Sequence, residues 1–532
     1  MPGKTLPLLL SVLLLAACNN TPVYTDISQG RLQGYLDEQV EYYLGVPYAQ
    51  PPLGELRWRP PHPAAAWEGV REARDNPTPC TQFSPIGGGL TGSEDCLYLN
   101  VWTPQEKPAE PMPVMVWIHG GGFIVGQGSY FPSEGARLAE REKVVVVAPN
   151  YRLGIFGFLA HEALATEDPA HPSSGNYGVM DQTAALRWVR DNLEAFCGDP
   201  DNVTIFGQSA GGVSICAQLA SPPAAGLFHR AAIQSGPCVS PLSSLAAVNK
   251  LGMEVEGELG CSEAADTLAC MRGKDAETVA HTSPPDPTMG FSEGYTFWWP
   301  VHDDIVLPRQ MMDAFESGDF NQVPIINGAT KDEATLLIWL SHNFRFKPLK
   351  ADQYMDRLTF LTGSEELAQQ VAQKYPLDDY DSPYDAMVEA FSDGFFNCFS
   401  RRQAAALSGH VPVWNYQFDY DEAPFYFFWA DLRAYHAAEI QYIMGRPWSL
   451  FRSDFKDSER PLANSMMNYW AEFARTGNPN GSGETTWPAY DEADKTLLFN
   501  LQNTVATGVH REDCEFWNAL PYPVSYTHLR AH

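Results

Sequence analysis

The stretch Phe206-Gly207-Gln208-Ser209-Ala210-Gly211-Gly212, FGQSAGG, decides how this chain is read. A serine between two glycines is a common accident, so the flanking sequence has to say whether Ser209 is a nucleophile or a turn residue. Upstream, Asn202-Val203-Thr204-Ile205-Phe206 reads as a strand, and downstream Ala210 to Leu219 is a helix-competent run of small and apolar residues. Ser209 therefore occupies a strand-to-helix turn. In such a turn, Gly207 and Gly211 let strand and helix approach, and the serine hydroxyl is lifted off the edge of the sheet.

The same alternation extends outward. Val114-Met115-Val116-Trp117-Ile118 and Val144-Val145-Val146-Val147 are buried-strand candidates. After them, Asp181 to Phe196 places Leu186, Val189, Leu193 and Phe196 at helical spacing and stops at Gly198-Asp199-Pro200. Short strands and turns fill Val23 to Arg59, and the proline-rich stretch Pro47 to Pro63 excludes regular helix. Strand alternating with helix predicts an α/β fold: a mostly parallel central sheet with helices on both faces and a small N-terminal antiparallel region. Directly after the Val114–Ile118 strand stands His119-Gly120-Gly121-Gly122-Phe123. Alone it is a flexible turn or a phosphate loop; placed after a strand and ahead of the serine turn, it suits an oxyanion hole, with the N–H groups of Gly121, Gly122 and Ala210 as donors.

Composition narrows the partners. The 532 residues carry 35 Lys and Arg against 65 Asp and Glu, a net charge of −30, which repels nucleic acid and anionic headgroups. None of the ten cysteines forms C-x-x-C or a Cys/His cluster at zinc spacing, so neither a metal nor a cofactor is expected.

Lys4 followed by the apolar run Leu6–Ala17, too short to span a bilayer, reads as an export signal over residues 1–17. Leu15-Ala16-Ala17-Cys18 resembles a bacterial lipoprotein box, which implies a lipidated Cys18, a periplasmic or cell-surface location, and membrane attachment only through that anchor. Plain secretion is the alternative. Residues 18–25 then form a linker, 26–523 one catalytic domain, and 524–532, SYTHLRAH with its preceding Val524, resemble a translated library adaptor to be set aside.

Many ordered blocks resemble one family, the type B carboxylesterases, which include the cholinesterases and para-nitrobenzyl esterases. They are GVPYAQPPLGELRW (Gly45–Trp58), EDCLYLNVW (Glu94–Trp102), HGGGF, NYRLGIFGFL (Asn150–Leu159), GNYGVMDQ (Gly175–Gln182), FGQSAGG, FHRAAIQSG (Phe228–Gly236), TKDE (Thr330–Glu333), AYHAAE (Ala434–Glu439) and TGNPN (Thr476–Asn480). The resemblance implies the α/β-hydrolase fold and an ester-hydrolysing triad of Ser209, His436 as base and Glu333 as acid, in the chain order that fold uses. It places Gln208, Ser235 and Glu439 behind the triad, Ser235 supporting the acid. It also implies disulfides Cys80–Cys96, Cys261–Cys270 and Cys398–Cys514, leaving Cys197, Cys216 and Cys238 as unpaired small hydrophobes.

Departures from the cholinesterases point to neutral small-molecule esters. Gln208 replaces a glutamate, no tryptophan lies between Cys80 and Cys96, and Leu336 and Leu337 stand where aromatics follow the acid; a quaternary ammonium needs an aromatic box. Phe123, Phe297, Trp298 and Trp299, with the aromatic run Phe425 to Trp429, are candidates for an apolar pocket or for core packing. Aryl or short-to-medium acyl esters follow; the alternatives are a lipase or polyester hydrolase, and a non-catalytic binding relative.

Overall fold

Successive residues of the strand Met112–Ile118 serve two different cores. Val114, Val116 and Ile118 join one hydrophobic cluster while Met115 and Trp117 join another, and Val145 and Val147 alternate with Val144 and Val146 in the same way. A strand whose neighbouring side chains point to opposite faces, both apolar, belongs to a sheet covered on both sides, which is why these runs are continuously hydrophobic. The computed structural model describes residues 21–84, 88–129, 133–282, 298–343, 348–426, 430–481 and 485–521.

The sheet has 13 strands. They are β1 (Thr21–Ile27), β2 (Gly30–Asp37), β3 (Val40–Pro47), β4 (Val70–Glu72), β5 (Tyr98–Pro104), β6 (Met112–Ile118), β7 (Val145–Pro149), β8 (Gly198–Gln208), β9 (Arg230–Gln234), β10 (Ile325–Thr330), β11 (Val413–Phe418), β12 (Lys495–Phe499) and β13 (Thr504–Thr507). Their order is β1-β2-β3-β5-β7-β6-β8-β9-β10-β11-β12-β13, with β4 beside β2. From β7 to β12 every neighbour is parallel, whereas β1, β2, β3 and β5 pair antiparallel. One face carries helices α1 (Tyr177–Asn192) and α2 (Ala210–Ala220), the other the long helix α4 (Arg460–Thr476); the short α3 (Ala334–Ile338) follows β10. This is the doubly covered parallel sheet that the sequence pattern predicts, with α1 beginning four residues ahead of Asp181.

Buried ion pairs join the sequence blocks in space. Arg152 donates to Asp181 through Nε at 2.8 Å, a terminal nitrogen at 2.7 Å and its backbone N–H at 3.0 Å, tying the loop after β7 to α1. Arg57 grips Glu94 in the same two-pronged way, at 2.7 and 2.6 Å.

Three disulfides lie at Cys80–Cys96, Cys261–Cys270 and Cys398–Cys514. A fourth corrects the sequence reading: Cys216 and Cys238 are bonded to each other, because α2 and the loop after β9 bring side chains 22 residues apart into contact. Cys197 is the remaining thiol among the described residues. The linker boundary also moves, since Thr21 to Thr25 already pair with Leu32 to Leu36 as part of β1. The signal segment, Cys18 and residues 524–532 lie outside the described residues, and so do Phe297 and Phe427 to Trp429. Among the described residues no helix is long and apolar enough to cross a membrane.

Asp181→Asn leaves the Arg152 charge buried with its partner neutralised. We expect a loss of about 3–5 kcal/mol in a urea unfolding series, against near-neutral behaviour for a surface control such as Asp491→Asn.

Candidate active site

The turn at Ser209 is built by backbone crowding. β8 ends at Gln208, Ser209 takes φ +60° and ψ −125°, and α2 starts at Ala210. A Cβ on Gly207 would lie 2.6 Å from Gly211 O, one on Gly212 would lie 2.8 Å from Gln234 O, and one on Gly211 would run into Ile118 O. Only glycine fits at these three places. The serine N–H donates to Gln234 O at 2.9 Å and its carbonyl accepts from the Val213 N–H at 2.9 Å, which holds a backbone conformation costing ~1–3 kcal/mol for a non-glycine residue. Ser209 is partly exposed at the carboxyl ends of the parallel strands, where ligands of open α/β sheets bind.

The glycine loop leaving β6 backs onto this turn. A Cβ on Gly120 would lie 3.1 Å from the Ser209 Cβ. Gly121 and Gly122 take φ +110° and +61°, and Gly121 O accepts from the N–H groups of Ile124 and Val125. His119 braces the loop: its ring stacks on Tyr151 at 4.3 Å, and Tyr151 OH donates to His119 O at 2.8 Å. Burial pushes the His119 pKa down to about 4, so the ring is neutral and Nδ1–H donates to Gly120 O at 2.9 Å. Gly120 thus lies against Ser209, with Gly121 and Gly122 continuing the loop from it, and α2 opens at Ala210 directly after the serine.

Glu333 and His436 meet although 103 residues separate them. Glu333 is fully buried; Oε1 accepts from the Thr330 N–H at 2.7 Å, and Oε2 accepts from His436 Nδ1. That bond fixes the tautomer, leaving Nε2 with its lone pair. The lone pair in turn accepts from the Gln208 carboxamide at 3.1 Å, so the residue preceding the serine reaches the base itself. Phe396, which carries no motif, lays its ring 5.0 Å from His436. Only its distance in sequence hid it.

Behind the couple lies Glu439. Burial, then the charge of Glu333, pushes its pKa up to about 8; Oε1 accepts from Gln234 at 3.4 Å, and Oε2 has no hydrogen-bond partner among the described residues. Ser235, expected to support Glu333, has a buried hydroxyl with no hydrogen-bond partner among the described residues; its backbone instead bonds to Gly328 O. Of the pocket candidates, Phe123 and Trp298 pack into the main core, Phe123 against Phe158 and Trp299, while Leu336 and Leu337 lie buried in α3 just after the acid. A serine on a strained turn, a glycine loop and a carboxylate-bound imidazole together equip the site for acyl transfer.

A family model described as "Carboxylesterase family" matches residues 21–517. Carboxylesterase 1E of Rattus norvegicus is 34% identical over 529 residues, covering 92% of this chain and 91% of that protein. Para-nitrobenzyl esterase of Bacillus subtilis is 34% identical over 493 residues, covering 90% and 94%. A solved PNB esterase structure superposes with a TM-score of 0.78 at 32% identity, over 93% of this chain and 99% of that one.

Glu439 keeps its proton in the folded chain up to about pH 8 but loses it near the usual carboxylate range on unfolding, so its burial destabilises the fold increasingly as pH rises from about 4.5 to 8. Glu439→Gln removes that dependence. Its melting temperature should exceed that of wild type by more at pH 8 than at pH 5; an equal difference at both would refute the assignment.

Proposed function

The chain belongs to the carboxylesterase family and is a serine carboxylesterase, and from that premise we propose that it hydrolyses neutral aryl or short-to-medium acyl esters through a Ser209–His436–Glu333 triad and an acyl-enzyme. The observation that carries this reading is the bond from His436 Nδ1 to the buried Glu333, which leaves Nε2 basic, together with the strained turn at Ser209.

In the first half-reaction Ser209 Oγ attacks the ester carbonyl and its proton passes to His436 Nε2. Nε2 has one lone pair, so the Gln208 carboxamide gives up its hydrogen bond at that moment; rotated by half a turn, it offers Oε1 to the new Nε2–H. Glu333 stabilises the imidazolium, and the N–H groups of Gly121, Gly122 and Ala210 receive the oxyanion. The alcohol departs with the proton from His436. Water, deprotonated by the same ring, then releases the acid.

Neutral substrates are favoured by the charge count at the base. Gln208 is an amide, and burial holds the Glu439 carboxyl protonated up to about pH 8, so neither adds a negative charge beside His436. Each removes a charge that would attract a cation.

Steady-state hydrolysis of a para-nitrophenyl acyl series tests the reading. Ser209→Ala should lower kcat by on the order of 10⁴- to 10⁶-fold on every member; equal rates would remove the triad, and a rising optimum at long chains would favour a lipase. Gln208→Glu should raise the ratio of kcat/KM for a choline ester to that for an uncharged ester of the same acid by roughly 5-fold, an effect that salt reduces.

A further inference from the structure

One turn of chain touches both members of the acid–base couple. Ser392–Asn397 form a π-helical turn between the helices Pro383–Phe391 and Cys398–Ser408, and such turns recur at functional sites. On its inner side Phe396 rests against His436. Ser392 Oγ accepts from the N–H of Ala334, the residue after Glu333, at 3.0 Å, and Asn397 Nδ2 donates to Lys331 O, two residues before it, at 3.2 Å. The segment that presents Glu333 is thereby bonded on both sides to the turn whose ring backs the imidazole.

The outer side of the turn is held by the C-terminal helix α5 (Arg511–Ala519) and the residue before it, His510. Nδ1 of His510 lies 3.1 Å from an Asp393 carboxylate oxygen, and Nε2 lies 2.9 Å from Gln417 Oε1. With an oxygen facing each ring nitrogen, the surroundings favour the protonated ring. Burial would lower its pKa, but the bond and charge of Asp393, with Asp513 and Glu389 nearby, hold it above the usual histidine value. Lys374 pairs with Asp513 at 2.8 Å and Arg511 with Asp494 at 3.2 Å. Asp393, His510 and Asp513 lie close enough to suggest a metal site, yet each already has a proton-donating or proton-accepting partner, so the cluster is a clamp of charges. The other Asp393 oxygen accepts from Tyr375 OH at 2.9 Å, which itself accepts from Trp517 Nε1 at 2.9 Å. The Trp517 ring covers Gly394, where a Cβ would lie 2.6 Å from it, and Cys398–Cys514 closes the grip covalently.

We propose that the turn Ser392–Asn397, clamped from outside by His510 and α5, is the positioning element that holds His436 and Glu333 in register with Ser209. The proposal rests on the triad reading above. Displacements of about an ångström at a reacting group reduce rates by up to ~100-fold, so a backing element of this kind acts on turnover while substrate affinity stays nearly constant.

The test uses the full chain with para-nitrophenyl butyrate and two variants on opposite sides of the turn. Phe396→Leu removes the ring from His436, and His510→Asn removes the cation while tolerating the local φ of +55°. Both should lower kcat about 10-fold with KM changed less than about 2-fold, and both should shift the low-field proton resonance of the His436–Glu333 bond. If folded His510→Asn keeps kcat within about 2-fold of wild type and leaves that resonance in place, the proposal is overturned. Should His510→Asn fail to fold, Phe396→Leu decides by the same two readouts. A wild type that turns over no ester would sink the triad reading instead, an outcome separate from active variants.

Discussion

Ser209 is held at φ +60° by parallel strands on either side of it and a helix pressed against its back. Gly207 pairs with Ile118 of β6 on one flank, and Gln208 pairs with Gln234 of β9 on the other. With β8 fixed in that slot, α2 can start only where its first turn slides beneath Ile118 and Gln234, a gap without room for a Cβ. The serine has no relaxed alternative. The glycine loop after β6 is carried to its side by the same register, and the Cys216–Cys238 bond fastens α2 to the loop after β9 one turn further along.

Charge is managed around that geometry with equal economy. The molecule carries a net charge of −30, yet beside His436 Gln208 is neutral and Glu439 keeps its proton up to about pH 8. Two ionised carboxylates close together in a buried site repel strongly, and the conflict between Glu333 and Glu439 is resolved by keeping Glu439 protonated. A third acid before the serine would reopen it; Gln208 supplies a hydrogen bond in its place. The buried arginines follow a complementary logic, each gripping a carboxylate with two nitrogens.

The strands and the serine turn were legible because burial on both faces writes an uninterrupted apolar run, and because backbone crowding admits glycine alone at positions 207, 211 and 212. The start of α1 was less so, since Tyr177, Gly178 and Val179 are buried all round and carry no periodic signal. Glu333 and His436 sit on loops without any repeat of their own, and resemblance to a family was needed to single them out. The Cys216–Cys238 bond depends on how α2 meets the loop after β9, which local patterns do not encode. Phe396 and His510 were invisible for the same reason. Each matters through a neighbour far along the chain, and neither lies in a motif.

The order of parts along the chain gives the finished site a temporal character. In chain order the serine turn and β9 come first, Glu333 and His436 follow, and the helix bonded through Cys514 comes last, 116 residues beyond Cys398. The residues that shape the serine turn are therefore all present well before the loops that bring Glu333 and His436 together. A chain ending before Cys514 would hold every residue of the serine turn yet lack the bond that closes the far side of the site.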